Sequence, residues 1–125
     1  MNKENLKTLI ATVEEAGKNG EFDLNHYTHE CGSPACIAGY AAHLLGRGVS
    51  RSGYGPLTHR EFRKSLADYL DVYMYEAHEI AEGFCDIDGI NVEPRAKEAV
   101  QYLKGMLEAG RVLTWRSYFA GHGWD

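Results

Sequence analysis

Residues 34–46 read PACIAGYAAHLLG, thirteen positions without one Asp, Glu, Lys or Arg. A helix that is apolar all round must be buried. Ala35, Gly39, Ala42 and Gly46 recur at spacings of four, three and four, a stripe without bulk that admits another helix at close range. Glycine inside a helix costs roughly 0.5–1 kcal/mol relative to alanine, so Gly39 has a packing reason. Ile37, Ala41, Leu44 and Leu45 complete the apolar surface. Such a helix needs partners on several sides, and the remaining chain is expected to supply them as amphipathic helices.

The flanking periodicities are helical. Leu6, Leu9, Ile10 and Val13 follow the i, i+3, i+4, i+7 pattern, and Gly17 and Gly20 are expected to stop that helix. A polar stretch follows over residues 18–33, with Phe22, Leu24 and Tyr27 as pegs onto the core. Ser33 as N-cap and Pro34 at the first helical position open the central helix, which should end near residues 46–48. A glycine- and arginine-rich loop covers residues 47–57.

Thr58 and Glu61 then form a capping box, with Leu57 and Phe62 as its hydrophobic staple. Phe62, Leu66, Tyr69, Leu70 and Tyr73 line one face of this third helix. A fourth over residues 72–82 is expected to bury Ala77, Ile80, Ala81 and Phe84. Residues 86–93 connect it to a fifth helix opened by Pro94. Ala96, Ala99, Val100, Leu103 and Leu107 form its inner face, and Gly110 closes it. Residues 113–125 form an aromatic tail with room for a last short helix. No segment alternates as a strand would. The expected fold is all-α: residues 1–125 as a single compact bundle of about five helices around a buried central one.

A chain of 125 residues can build one stable core. Its formal net charge of −5 argues against non-specific binding to nucleic acid or anionic membranes. No apolar run approaches the roughly 18–20 residues that cross a bilayer, and MNKENLKTLIATVEE lacks a signal-peptide core. A cytoplasmic location is expected, where an odd count of three cysteines means thiols or metal ligands.

Chemistry-bearing residues concentrate in residues 26–43. Cys36 at the third helical position is expected to have a lowered pKa from the helix dipole and unpaired amides, with Cys31 just before the cap. Cys36 and His43 lie seven residues apart, roughly 10.5 Å along a helix, too far for a hydrogen bond. A thiol enzyme would instead use Cys31 or Cys36 with His29 as partner, or with His26, His78 or His122. A metal site would use His26, His29, Cys31 and Cys36, whose donor types suit zinc. Their His-x2-His-x-Cys-x4-Cys spacing on one short segment departs from the usual paired knuckles. The third alternative is packing, with cysteine as a small hydrophobe. We adopt that expectation: no catalytic residue, no metal and no cofactor.

The stretch HECGSPACIAGYAAHLLG resembles the cysteine region of a family of papain-like cysteine peptidases, which would make Cys31 the nucleophile. Here an extra residue separates Cys31 from Cys36, Asn25 stands where that family has a glutamine, and no β-rich second half follows. A longer likeness runs through Phe22-Asp23-Leu24, Cys31-Gly32-Ser33-Pro34-Ala35-Cys36-Ile37-Ala38-Gly39, Val92-Glu93-Pro94 and Gly110-Arg111-Val112-Leu113-Thr114-Trp115. In that order the chain resembles a family of small phage and bacterial proteins with no assigned activity. The likeness implies a bacterial host.

Helices over residues 58–83 have the layout of a helix-turn-helix, but the second carries Glu76, Glu79 and Glu82 and no Lys or Arg, so direct nucleic-acid reading is not expected. Asp86-x-Asp88-Gly89-x-Asn91-x-Glu93 fails as a calcium loop, because its first and twelfth positions would be Phe84 and Arg95. From residue 65 to 94 eight acids occur without a Lys or Arg, whereas residues 47–64 are basic. The expected function is a non-enzymatic binding protein of phage or mobile-element type, an inhibitor of a host defence or nucleic-acid-binding protein. Its partner would be that host protein or a second copy of the chain, with no membrane involved. The expected contact residues are Glu76, Glu79, Glu82, Asp86 and Asp88 with the aromatic anchors Trp115, Tyr118, Phe119 and Trp124.

Overall fold

The structure, a computed structural model, describes residues 1–24, 26, 34–47, 58–86 and 95–122. These contain α1 (Lys3–Lys18), α2 (Ile37–Leu44), α3 (His59–Leu70), α4 (Met74–Glu82), a 3-10 turn (Gly83–Asp86), α5 (Ala96–Ala109) and α6 (Trp115–His122). No β-strand occurs among the described residues, and the fold is all-α. The aromatic tail contributes a sixth helix.

α2 is the expected central helix: Ile37, Ala38, Gly39, Tyr40, Ala41 and Ala42 are all buried, between α1, α3 and α4. Its start differs from the expected one. Cys36, not Ser33, is the N-cap; Pro34 precedes the helix, and Ser33 lies outside the described residues. The Ala35 carbonyl accepts a hydrogen bond from the Asp23 amide at 2.8 Å, which pairs this stretch with the chain following α1. Cys36 itself is extended (φ −104°, ψ 179°), so a proline-led first turn is pre-empted. At the other end the amides of Gly46 and Arg47 reach back to His43 and Ala42, with Gly46 at φ +74°. That is the glycine-dependent termination the sequence implied.

α1 buries Leu6, Leu9, Ile10, Val13 and Ala16 as its spacing requires. Gly17, however, does not stop it. The helix continues to Lys18, and Gly17 marks the close approach of α1 to α5: a Cβ there would lie 2.4 Å from the Cβ of Ala96. α5 buries Ala99, Val100 and Leu103, with Ala96 and Leu107 half-buried. It also buries Met106 and Tyr102, the latter because Trp115 of α6 stacks on its ring.

α3 begins with both hydrogen bonds of the Thr58–Glu61 capping box, 3.1 and 2.9 Å. It ends at Asp71, which is in the left-handed region at φ 54°, ψ 57°. The last carbonyls of α3 are taken by the start of α1: Asn2 N donates to Leu70 at 2.6 Å and Asn5 Nδ2 to Tyr69 at 2.7 Å. Tyr73, expected to extend the buried face of α3, is instead the N-cap residue of α4 and points to solvent. The left-handed residue takes it out of the helical register.

Two glycines make the α1–α5 packing testable. Gly17→Ala should destabilise by about 1–3 kcal/mol, because the Ala96 methyl is on a rigid backbone and cannot yield. Gly105, in α5, has only the end of Leu113 within 3.7 Å of a new Cβ. Gly105→Ala should therefore stabilise by about 0.5–1 kcal/mol through helix propensity alone. Urea midpoints of the two variants should move in opposite directions.

Candidate interaction surface

The cysteine stretch is not the site its composition suggests. The Cys36 thiol is buried, 3% exposed, and its Sγ accepts a hydrogen bond from the Gly39 amide at 3.5 Å. Desolvation outweighs this contact and pushes the thiol from 9.0 up to about 11. The lowered pKa expected from the helix dipole is thus reversed, because the sulfur has no water to support a thiolate. His43 is exposed, on an open groove lined by Thr8, Thr12, Glu15, Asn19 and Tyr40. It does not share the environment of Cys36. Of the other residues considered for catalysis or metal binding, His26 sets its Nδ1 2.9 Å from Asp23, while His29 and Cys31 lie outside the described residues. Among the described residues no three His, Cys, Asp or Glu side chains converge on a metal position.

The described rings of the aromatic tail are core. Trp115 is fully buried, and Tyr118 and Phe119 are 5% and 4% exposed. The Trp115 ring stacks on Tyr102 with centroids 3.9 Å apart, and its Nε1 donates to the Ile80 carbonyl at 3.0 Å. The Tyr102 hydroxyl donates to the Leu113 carbonyl (2.6 Å) and that of Tyr118 to Gln101 (2.7 Å). Every polar tip is satisfied, so these rings serve the bundle rather than a partner. Trp124 lies outside the described residues.

Four of the five acids of this segment whose side chains are described are also engaged internally. Asp68 binds Arg47 at 2.8 Å and Lys64, and the hydrogen bonds from Lys64 and then Arg47 hold its carboxyl below the usual range. Glu82 takes Arg63 at 3.1 Å and His78 at 3.0 Å. Glu76 caps α4 through the Tyr73 amide at 3.0 Å, and Glu79 accepts from the Trp115 amide at 3.4 Å. Among the described residues Asp71 is the exception: it is exposed, and its carboxylate forms no ion pair or hydrogen bond with them. Asp88 lies outside the described residues.

What the bundle does present is an aromatic pair at the α3–α4 corner. Tyr73 and Tyr75 are 70% and 72% exposed, their rings stacked with centroids 5.7 Å apart and planes within 9°. Met74 between them is 37% exposed. Sequence reasoning placed Tyr73 in the core and passed over Tyr75. A signal for Tyr75 existed: at about 100° per residue it lies roughly 160° round α4 from Ala77, opposite the buried face. No family model, curated protein or solved structure matches the chain.

Burial of Cys36 has a measurable pH signature. The unfolded thiol ionises near 9.0 and the folded one near 11, so between these values the unfolded chain holds fewer protons. Folding stability from this group is complete below pH 9 and is lost as pH rises toward 11. The loss is on the order of 2–3 kcal/mol. Urea unfolding of the native chain and Cys36→Ser across pH 8–11 should show a smaller decline in the variant.

Proposed function

We propose that the chain is a non-catalytic protein-binding module that receives its partner on the α3–α4 corner, around Tyr73, Met74 and Tyr75. The observation that carries this is the exposed, mutually stacked tyrosine pair on a bundle that buries Trp115, Tyr118 and Phe119. Tyrosines anchor interfaces because they bury large area with few rotatable bonds and keep a polar tip for the rim. An interface explains why two rings remain in water when the same chain packs Trp115, Tyr118 and Phe119 inside. The buried, protonated Cys36 thiol supports a binding role over thiol catalysis at that position. The likeness to phage and bacterial proteins and the net charge of −5 suggest a bacterial partner with a basic surface, such as one that itself binds nucleic acid. The contact surface is accordingly moved from the aromatic tail to the corner.

Tyr73→Ala/Tyr75→Ala should leave the far-ultraviolet spectrum unchanged and alter stability by less than about 0.5 kcal/mol, as exposed sites do. A photoreactive residue at position 75 should cross-link a specific partner in bacterial lysate, with yield falling near 0.5 M salt as the Debye length drops below roughly 5 Å. The double variant should fail to retain that partner. Retention by a folded double variant would remove the corner from the interface.

A further inference from the structure

We propose that the corner is an arginine-binding site, in which a guanidinium of a partner protein's basic segment lies against the Tyr73–Tyr75 pair while Asp71 supplies its counter-charge. This rests on the protein-binding role assigned above and names the chemistry of the partner. Three observations converge. The two rings are stacked with planes within 9° and both are largely exposed, so the outer face of the stack is a flat π-surface of the kind a planar guanidinium covers. Asp71, two residues before Tyr73, keeps an exposed carboxylate without a partner among the described residues, while Asp68, Glu76, Glu79 and Glu82 are each engaged within the chain. No Lys or Arg occurs from residue 65 to residue 86, so nothing on these elements competes for Asp71.

Asp71 is also held where local physics disfavours it. It is the one non-glycine residue at positive φ (54°) among the described residues, and it places a negative charge at a helix C-terminus. Glycine would relieve both costs. A cation bound by the carboxylate would offset the cost of its charge at this helix end. A second copy of the chain is a poor occupant, because its matching corner would set Asp71 and the same lysine- and arginine-free segment against each other. A lysine ammonium satisfies the charge but leaves the flat rings uncovered, so arginine is the fit.

The test uses the intact protein and a capped peptide of alternating glycine and arginine, with its lysine counterpart, followed through the tyrosine ring resonances by NMR. The arginine peptide should shift the Tyr73 and Tyr75 rings and bind several-fold more tightly than the lysine peptide. Asp71→Asn, which keeps a residue tolerant of the left-handed region, should weaken it about five- to tenfold. Glu14→Gln, an exposed acid on α1, should leave it unchanged. Asp71→Gly should weaken binding equally while raising the thermal midpoint by about 2–5 °C. Equal losses in Asp71→Asn and Glu14→Gln, parity of the two peptides, unmoved rings, or a lower midpoint in Asp71→Gly would each overturn the assignment. If Asp71→Asn retains the cross-linked partner and the double tyrosine variant does not, the arginine site falls while the binding role stands. If the double variant also retains it, both fall.

Discussion

Trp115 is where the bundle closes. Its indole stacks on Tyr102 of α5, takes the edge of Phe84 in the 3-10 turn, and donates to the carbonyl of Ile80 in α4. Tyr118 and Phe119 of its own helix complete the enclosure. Even its backbone is held, since the Trp115 amide donates to Glu79. Residue 83 being glycine leaves that carboxylate its place: a Cβ there would lie 1.4 Å from the Glu79 oxygen and push it off the Trp115 amide. Removing a buried tryptophan side chain typically costs about 3–5 kcal/mol, a large share of a small domain's stability.

This closure decides which residues are left to face a partner. Rings and carboxylates that look alike in sequence divide by environment. The tail rings enter the core and satisfy their hydroxyls and indole on backbone and Gln101. The acids of α3 and α4 go to capping and to Arg47, Arg63 and Lys64. Tyr73, Tyr75 and Asp71 remain, clustered in the chain because one left-handed residue turns α3 into α4. A surface residue without an internal partner is a stronger pointer to binding than a count of acids.

Much of the fold was legible in the sequence, and the failures share a cause. Spacing identified the buried faces of α1 and α3 and most of that of α5, because one-sided packing leaves a periodic trace. The capping box at Thr58 and the termination at Gly110 are local chemistry and were equally readable. The start of α2 was not, since the Asp23–Ala35 hydrogen bond that holds residue 35 outside the helix joins segments twelve residues apart. The corner failed for a related reason: Asp71 does a glycine's conformational task without a glycine's signature, so the register seemed to run on through Tyr73. The Cys36 prediction weighed the dipole of a helix end but not the loss of water around it, which is larger. The candidate site was therefore legible only in part. Its acidity showed in composition, but its aromatic centre depended on where α3 stops.

The position of Trp115 late in the chain also shapes how the molecule is made. A polypeptide leaves the ribosome from its amino end, and domains generally begin folding before synthesis ends. Here α1 to α5 emerge before the ring that seals Tyr102, Phe84 and Ile80 from water. During that interval the nascent bundle carries an open apolar seam, a surface on which chaperones can act and on which premature chains can stick to one another. Consolidation around Tyr102, Phe84 and Ile80 therefore waits for α6, and the sealed core reports that synthesis has passed residue 115.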